Sequence, residues 1–192
     1  MYKAIRLTLG ALAIVALAAP GLRSQVNSDD NRGNRAIALV DNCDPDDPEW
    51  LPTGGCLLKD GDETLTEFNA FLRSPLYDNI PPTGVEPGLF LVGHPSWRND
   101  PSHVVIEAGK QIRVTNVGGR PHTFTAVAQF GGGVVPPLNV GTQTAPECAG
   151  AVRIQPGDET RMTAGGEGIQ RFQCCIHPWM RATVRVVADD DN

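Results

Sequence analysis

Over the second half of the chain, apolar and polar residues alternate with the two-residue period of half-buried strands. The pattern begins after Leu89-Phe90-Leu91-Val92 and is clearest over residues 103–107 and 111–117, where Ile112, Val114 and Asn116 share one face and Ala108-Gly109-Lys110 makes the turn between them. Further strands are predicted over 122–129, 151–155, 160–163, 168–174 and 181–187, with a short one over 36–40. Gly131-Gly132-Gly133 and Pro136-Pro137 break the third of these runs. Pro156-Gly157-Asp158 supplies a turn, since proline presets φ and glycine accepts positive φ. Only one stretch carries a helical period: Thr64-Leu65-Thr66-Glu67 has capping-box spacing, and Leu65, Phe68, Phe71 and Leu72 follow at helical intervals up to Ser74-Pro75. Its apolar face is expected to cover an edge or end of the strands.

The start of the chain has a different pattern. Lys3 and Arg6 precede an apolar run from Leu7 to Ala19, and Ala16-Leu17-Ala18 offers a small-x-small cleavage site, the form of a secretory signal over residues 1–18, with cleavage as late as 24. An uncleaved anchor is the alternative, but the run is shorter than the about 20 residues of a comfortable span. No later stretch is apolar enough to qualify, so no membrane span is expected in the mature chain. The implied location is outside the cytoplasm, periplasmic or extracellular. Residues 25–35 are polar and read as linker, and residues 79–87 as turn-rich connection. Asp44, Asp46 and Asp47 lack the order of an EF-hand and read as a solvated turn. Residues 189–192 form an acidic tail.

Charge narrows the function. The 192 residues hold 16 basic and 22 acidic side chains, a net −6, which becomes −8 once Lys3 and Arg6 are removed. Such a balance argues against nucleic acid as a partner, whose phosphates demand clustered Lys and Arg.

The chemistry is concentrated in Arg171-Phe-Gln-Cys-Cys-Ile-His-Pro-Trp-Met-Arg181. Cys174, His177 and Met180 put a thiolate, an imidazole and a thioether on one short turn, and His122 lies upstream at a strand entry. This donor set selects copper in a mononuclear electron-transfer site, one ion per chain. Zinc is the rival, but structural zinc favours more thiolates or histidines, and a thioether adds little for it. Strand parity decides between the adjacent thiols, because Phe172 and Cys174 share the inward face while Arg171, Gln173 and Cys175 point outward. If Cys174 is the ligand, four cysteines remain. Cys43 and Cys56 close a short loop, a bridge worth about 3 kcal/mol, and an exported chain then favours Cys148–Cys175 as the second pair. The alternative leaves Cys175 free and Cys148 as a further ligand candidate. His94 and His103 read as structural or solvated residues.

Phe172-x-Cys174-x2-His177-Pro178-x-Met180, with Asn116-x5-His122 upstream, resembles the cupredoxin family of type 1 blue copper proteins, and its short Cys-to-Met loop is most similar to that of amicyanin. The resemblance covers roughly residues 89–188. It implies an all-β fold, a Greek-key β-sandwich over residues 84–188, preceded by an N-terminal extension over 25–83 that holds the one helix and the Cys43–Cys56 loop. It also implies single-electron transfer with a redox protein partner, His177 as the solvent-side ligand and electron port, and Pro121, Pro178 and Trp179 as the contact patch around it. Thr123 stands where the family commonly has an Asn that stitches the two ligand loops, so Asn116 and Thr123 are the residues to examine around the ligands. The insert over 134–150 is longer than the family minimum and is placed to lid one side of the site. Multicopper oxidases and copper nitrite reductases need additional histidines, which this sequence lacks, so an electron carrier is expected rather than an enzyme. A copper-trafficking protein and a copper subunit of a larger redox complex are the alternatives.

Overall fold

The alternating segments pair into two four-stranded sheets that bury their apolar positions against each other. The structure is a computed structural model that describes residues 33–73, 96–139 and 142–189. The signal segment, residues 25–32 of the linker, the connection over 79–87, Leu89–Val92, His94 and residues 190–192 of the tail lie outside the described residues. Among the described residues there are eight strands: β1 (Arg35–Val40), β2 (Arg98–Asp100), β3 (His103–Glu107), β4 (Gln111–Asn116), β5 (Thr125–Val127), β6 (Glu159–Thr163), β7 (Gly168–Gln173) and β8 (Arg181–Val187). One sheet has the order β2-β1-β4-β6 and the other β3-β8-β7-β5, so the chain crosses repeatedly between the two layers. Ile37 and Leu39 of β1 with Ile112 and Val114 of β4 share one core with Val104 and Ile106 of β3 and Val184 and Val186 of β8. Burying each such side chain contributes about 1.5–3 kcal/mol. Among the described residues no helix is long and apolar enough to cross a membrane.

β1 belongs to the stretch read as an N-terminal extension, yet it lies inside the first sheet. It pairs parallel with β4, placing Leu39 opposite Asn116, and antiparallel with β2. The chain therefore leaves β1 beside the loop that follows β4, where Val117 N–H and Gly118 N–H both donate to Leu39 C=O at 3.0 and 3.2 Å.

The α-helix among the described residues, α1 (Leu65–Leu72), starts at the expected box: Glu67 N–H donates to Thr64 Oγ1 at 3.2 Å and Thr64 N–H to Glu67 Oε2 at 3.0 Å. Asp47 also accepts from Leu65 N–H at 2.7 Å and from Glu49 N–H at 2.9 Å, so this acid tethers α1 to the 3-10 turn Pro48–Thr53. Phe68 of α1 is buried against Trp50, Trp97 and Trp179, with centroids 5.5, 4.8 and 5.8 Å away.

Three local differences from the alternation pattern have physical causes. The strand expected over 151–155 reduces to one bridge between Ile154 and His122. β5 begins later than expected because Thr123 directs its amide to the Cys174 sulfur, 3.3 Å away, instead of a strand partner. Cys175 does point away from the inter-sheet core, but it is not exposed. A second cluster of Val127, Ala145, Cys148 and Cys175 forms where the insert folds back over that face.

Two disulfides brace the fold, Cys43–Cys56 with Cα atoms 5.9 Å apart and Cys148–Cys175 with Cα atoms 5.4 Å apart. Cys174 is the free cysteine.

Candidate metal centre

β7 ends at Gln173 and β8 begins at Arg181, and the seven residues between them close on themselves. Cys174 N–H donates to Met180 C=O and Met180 N–H to His177 C=O, both at 2.9 Å. The Cys174 sulfur accepts His177 N–H at 3.4 Å and Thr123 N–H at 3.3 Å. A buried sulfur facing two amide donors is best satisfied as a thiolate. Thr123 also links the two ligand loops through its side chain, since Cys175 N–H donates to Thr123 Oγ1 at 2.7 Å. The stitch expected of an Asn is thus made by a hydroxyl. Met180 closes the loop through its backbone, and its side chain is buried in the same core as Cys174.

His122 is positioned by other means. Its backbone exchanges hydrogen bonds with Ile154 at 3.1 and 2.8 Å. Asn116 braces the turn before it, donating from Nδ2 to Arg120 C=O and Ile154 C=O, both at 2.8 Å, and accepting Gly118 N–H at 3.0 Å. The His122 ring nitrogen Nε2 lies 2.8 Å from Asp41 Oδ2, and neither side chain is exposed to solvent. Asp41 lies in the acidic stretch read from the sequence as a turn, and nothing in that stretch marked it as a partner of a histidine 81 positions later.

With Nε2 occupied, His122 Nδ1 faces the other donors. It is 3.8 Å from Cys174 Sγ and 3.2 Å from His177 Nδ1, and the latter is 3.7 Å from the same sulfur. These three are the group of His, Cys, Asp or Glu side chains among the described residues arranged to hold a metal ion. Two nitrogens and a sulfur spread trigonally around one ion, at about 2.0–2.3 Å from it, lie about 3.5–3.8 Å from one another. The observed separations are close to that spacing, so the donor set fits a first-row ion.

The electrostatics pair opposite charges within the donor set, so binding an ion there displaces a proton from His122. Burial opposes the Cys174 thiolate, but hydrogen bonds and charge from His122 and His177 outweigh it and bring the thiol well below its ordinary value. Burial likewise opposes a charged His122, yet Asp41 and Cys174 push its pKa up to about 9. Asp41 stays below the usual carboxylate value because, against burial, it has the hydrogen bond and charge of His122 and the amides of Gly119 and Arg120. His177 is lowered, chiefly by burial.

His177 is 5% exposed, and Pro178 and Trp179 are buried too, leaving Pro121 as the half-buried member of the expected patch. The cause is the aromatic cover brought in by α1 and its neighbours. The ring of His177 lies 4.7 Å from Trp97, 5.5 Å from Trp179 and 6.5 Å from Phe68, centroid to centroid. A mostly apolar cavity of about 410 Å³, lined by Trp50, Phe68, Arg120, Pro121, Leu138 and His177 among others, reaches the ring from the side. His103 is exposed on β3, with Nδ1 2.7 Å from Thr183 Oγ1.

No family model and no curated protein sequence matches the chain. Among solved structures it is similar to a novel purple cupredoxin from Nitrosopumilus maritimus, at 19% identity over 49% of this chain and 86% of that one, with a TM-score of 0.36. It is also similar to amicyanin from Paracoccus versutus, at 21% identity over 47% of this chain and 73% of that one, with a TM-score of 0.33. A methionine-to-alanine mutant of amicyanin in its Cu(I) form gives 17% identity over 47% of this chain and 73% of that one, with a TM-score of 0.34.

Proposed function

We propose that this protein binds one copper ion that His122, Cys174 and His177 would hold, with Met180 as a weaker further donor, and carries single electrons between redox proteins outside the cytoplasm. The observation that carries this reading is the convergence of Nδ1, Nδ1 and Sγ, all buried and all within 4.8 Å of one another. One thiolate and two imidazoles with a thioether nearby suit copper better than zinc, for which a fourth thiolate or imidazole would be the usual complement. When bound, copper supplies a one-electron couple.

The chain's own contribution is rigidity. The Cys174 sulfur is aimed by two backbone amides, His122 by Asp41 and Ile154, and His177 by the closed loop and the rings packed on it. Donors so fixed keep one arrangement whichever charge the ion has, which suits repeated electron transfer. With the His177 ring nearly buried, the approach for a redox partner is the apolar cavity that reaches it beside Trp50, Phe68 and Pro121. The two disulfides and the signal-like N-terminal run support an exported protein.

Titration of the purified protein with Cu(II), followed by visible spectroscopy and voltammetry, tests the reading. One equivalent, an intense thiolate-to-copper band and reversible one-electron reduction are expected. A colourless protein that hands Cu(I) to an acceptor would instead be a copper-trafficking module.

A further inference from the structure

Asp41 accepts through both carboxylate oxygens. Oδ2 takes His122 Nε2–H at 2.8 Å and Arg120 N–H at 3.0 Å, while Oδ1 takes Gly119 N–H at 2.9 Å and Cys43 N–H at 3.4 Å. A group surrounded by donors must be acceptor-only, and among side chains of this size only an ionised carboxylate is. The proton of the Asp41–His122 pair therefore sits on Nε2, and Nδ1 is left to face Cys174 and His177.

The contact is built by glycine. A Cβ on Gly118 would lie 2.1 Å from Asp41 Oδ2, and one on Gly119 would lie 2.7 Å from both sulfurs of the Cys43–Cys56 bridge. The segment from β1 to this disulfide is thus seated against the His122 turn at a distance that side chains would forbid. The Arg120 guanidinium, the nearest cation, is engaged elsewhere: it donates to Thr53 C=O, Thr53 Oγ1 and Gly55 C=O and lies over Trp50.

We propose that Asp41 is a positioning residue of the metal centre: it fixes His122 with Nδ1 toward the ion and places a buried negative charge one imidazole away from it. This rests on the copper reading. Attraction between the Asp41 carboxylate and the ion is stronger for Cu(II) than for Cu(I), while the buried Arg120 guanidinium, which also interacts with Asp41, acts in the opposite sense and is left in place when Asp41 is substituted. Asp41 thereby biases the couple toward Cu(II) and lowers the reduction potential relative to a neutral side chain at the same place.

Asp41→Asn keeps size and one acceptor oxygen but removes the charge. The variant should still bind copper, with the ratio of Cu(I) to Cu(II) affinity raised at least tenfold, a potential increase of about 59 mV or more. A variant that loses thermal stability while its potential stays unchanged would show a merely structural aspartate and overturn the proposal. If the variant does not fold, the wild-type protein decides, through the ring nitrogens of His122 in a ¹⁵N NMR spectrum of the Zn(II)-loaded form. A slowly exchanging Nε2–H with metal-bound Nδ1 supports the proposal, and a metal-bound Nε2 or a freely exchanging Nε2–H overturns it. Because that spectrum uses zinc, failure to form a copper chromophore would reject the copper reading separately from the Asp41–His122 pairing.

Discussion

Cys174 and His177 are three residues apart and their loop closes through its own backbone bonds, with Thr123 and the rings on His177 as outside supports, whereas His122 is held by an aspartate 81 positions upstream and by Ile154 downstream. Each half also has its own disulfide, Cys148–Cys175 beside the loop and Cys43–Cys56 beside the His122 turn. The difference teaches that one half of the centre is built on a local motif whose loop closes by its own backbone bonds. The other half exists only once β1, the Asp41 turn and the glycine-lined 118–119 corner have come together. Perturbing each half should therefore have different consequences.

The largest effect belongs to the local half. Cys174→Ala should abolish the thiolate-to-copper band altogether, because the transition belongs to the copper–sulfur bond, and any retained band would refute Cys174 as ligand. Opening the bridges comes next. The closed separations are 27 residues for Cys148–Cys175 and 13 for Cys43–Cys56, so loop entropy predicts a loss of about 3 kcal/mol for either serine pair in denaturant unfolding. Copper retention should separate them: losing Cys43–Cys56 should weaken binding more, since it frees the segment that carries Asp41. The reverse order would break the comparison.

Gly118→Ala should follow, costing about 1–3 kcal/mol through overpacking against Asp41, while Gly150→Ala, with nothing within 4 Å of the added atom, should leave the unfolding midpoint nearly unchanged. Equal midpoints for the two variants would show that the corner is not tightly seated. The smallest effect is expected where the halves meet. Thr123→Val keeps the shape but leaves Cys175 N–H without its acceptor, a loss of about 1–2 kcal/mol, with copper still bound. An unchanged midpoint would mean that the hydroxyl does not stitch the loops.

The same division governs what could be read from the sequence. His103–Glu107 and Arg181–Val187 were legible as strands to the residue, and α1 through its capping box and the spacing of Phe68 and Leu72, because period and cap are local signals. Cys174 was separable from Cys175 by parity for the same reason. Asp41 was not legible: no period connects it with His122, and its surroundings of Asp and Pro have the composition of a solvated turn. β2 escaped notice because Arg98-Asn99-Asp100 is wholly polar and gains its place only as the edge partner of β1. The cover over His177 was equally hidden, since Trp50, Phe68 and Trp97 are scattered in sequence and meet only in the fold.

The central claim is that one copper ion sits between His122, Cys174 and His177, and anomalous diffraction at the copper edge from copper-loaded crystals tests it most directly. The account predicts one strong peak per chain within bonding distance of His122 Nδ1, Cys174 Sγ and His177 Nδ1, with Asp41 still on His122 Nε2. A peak elsewhere on the chain, or one bound through His122 Nε2 with Asp41 displaced, would contradict it.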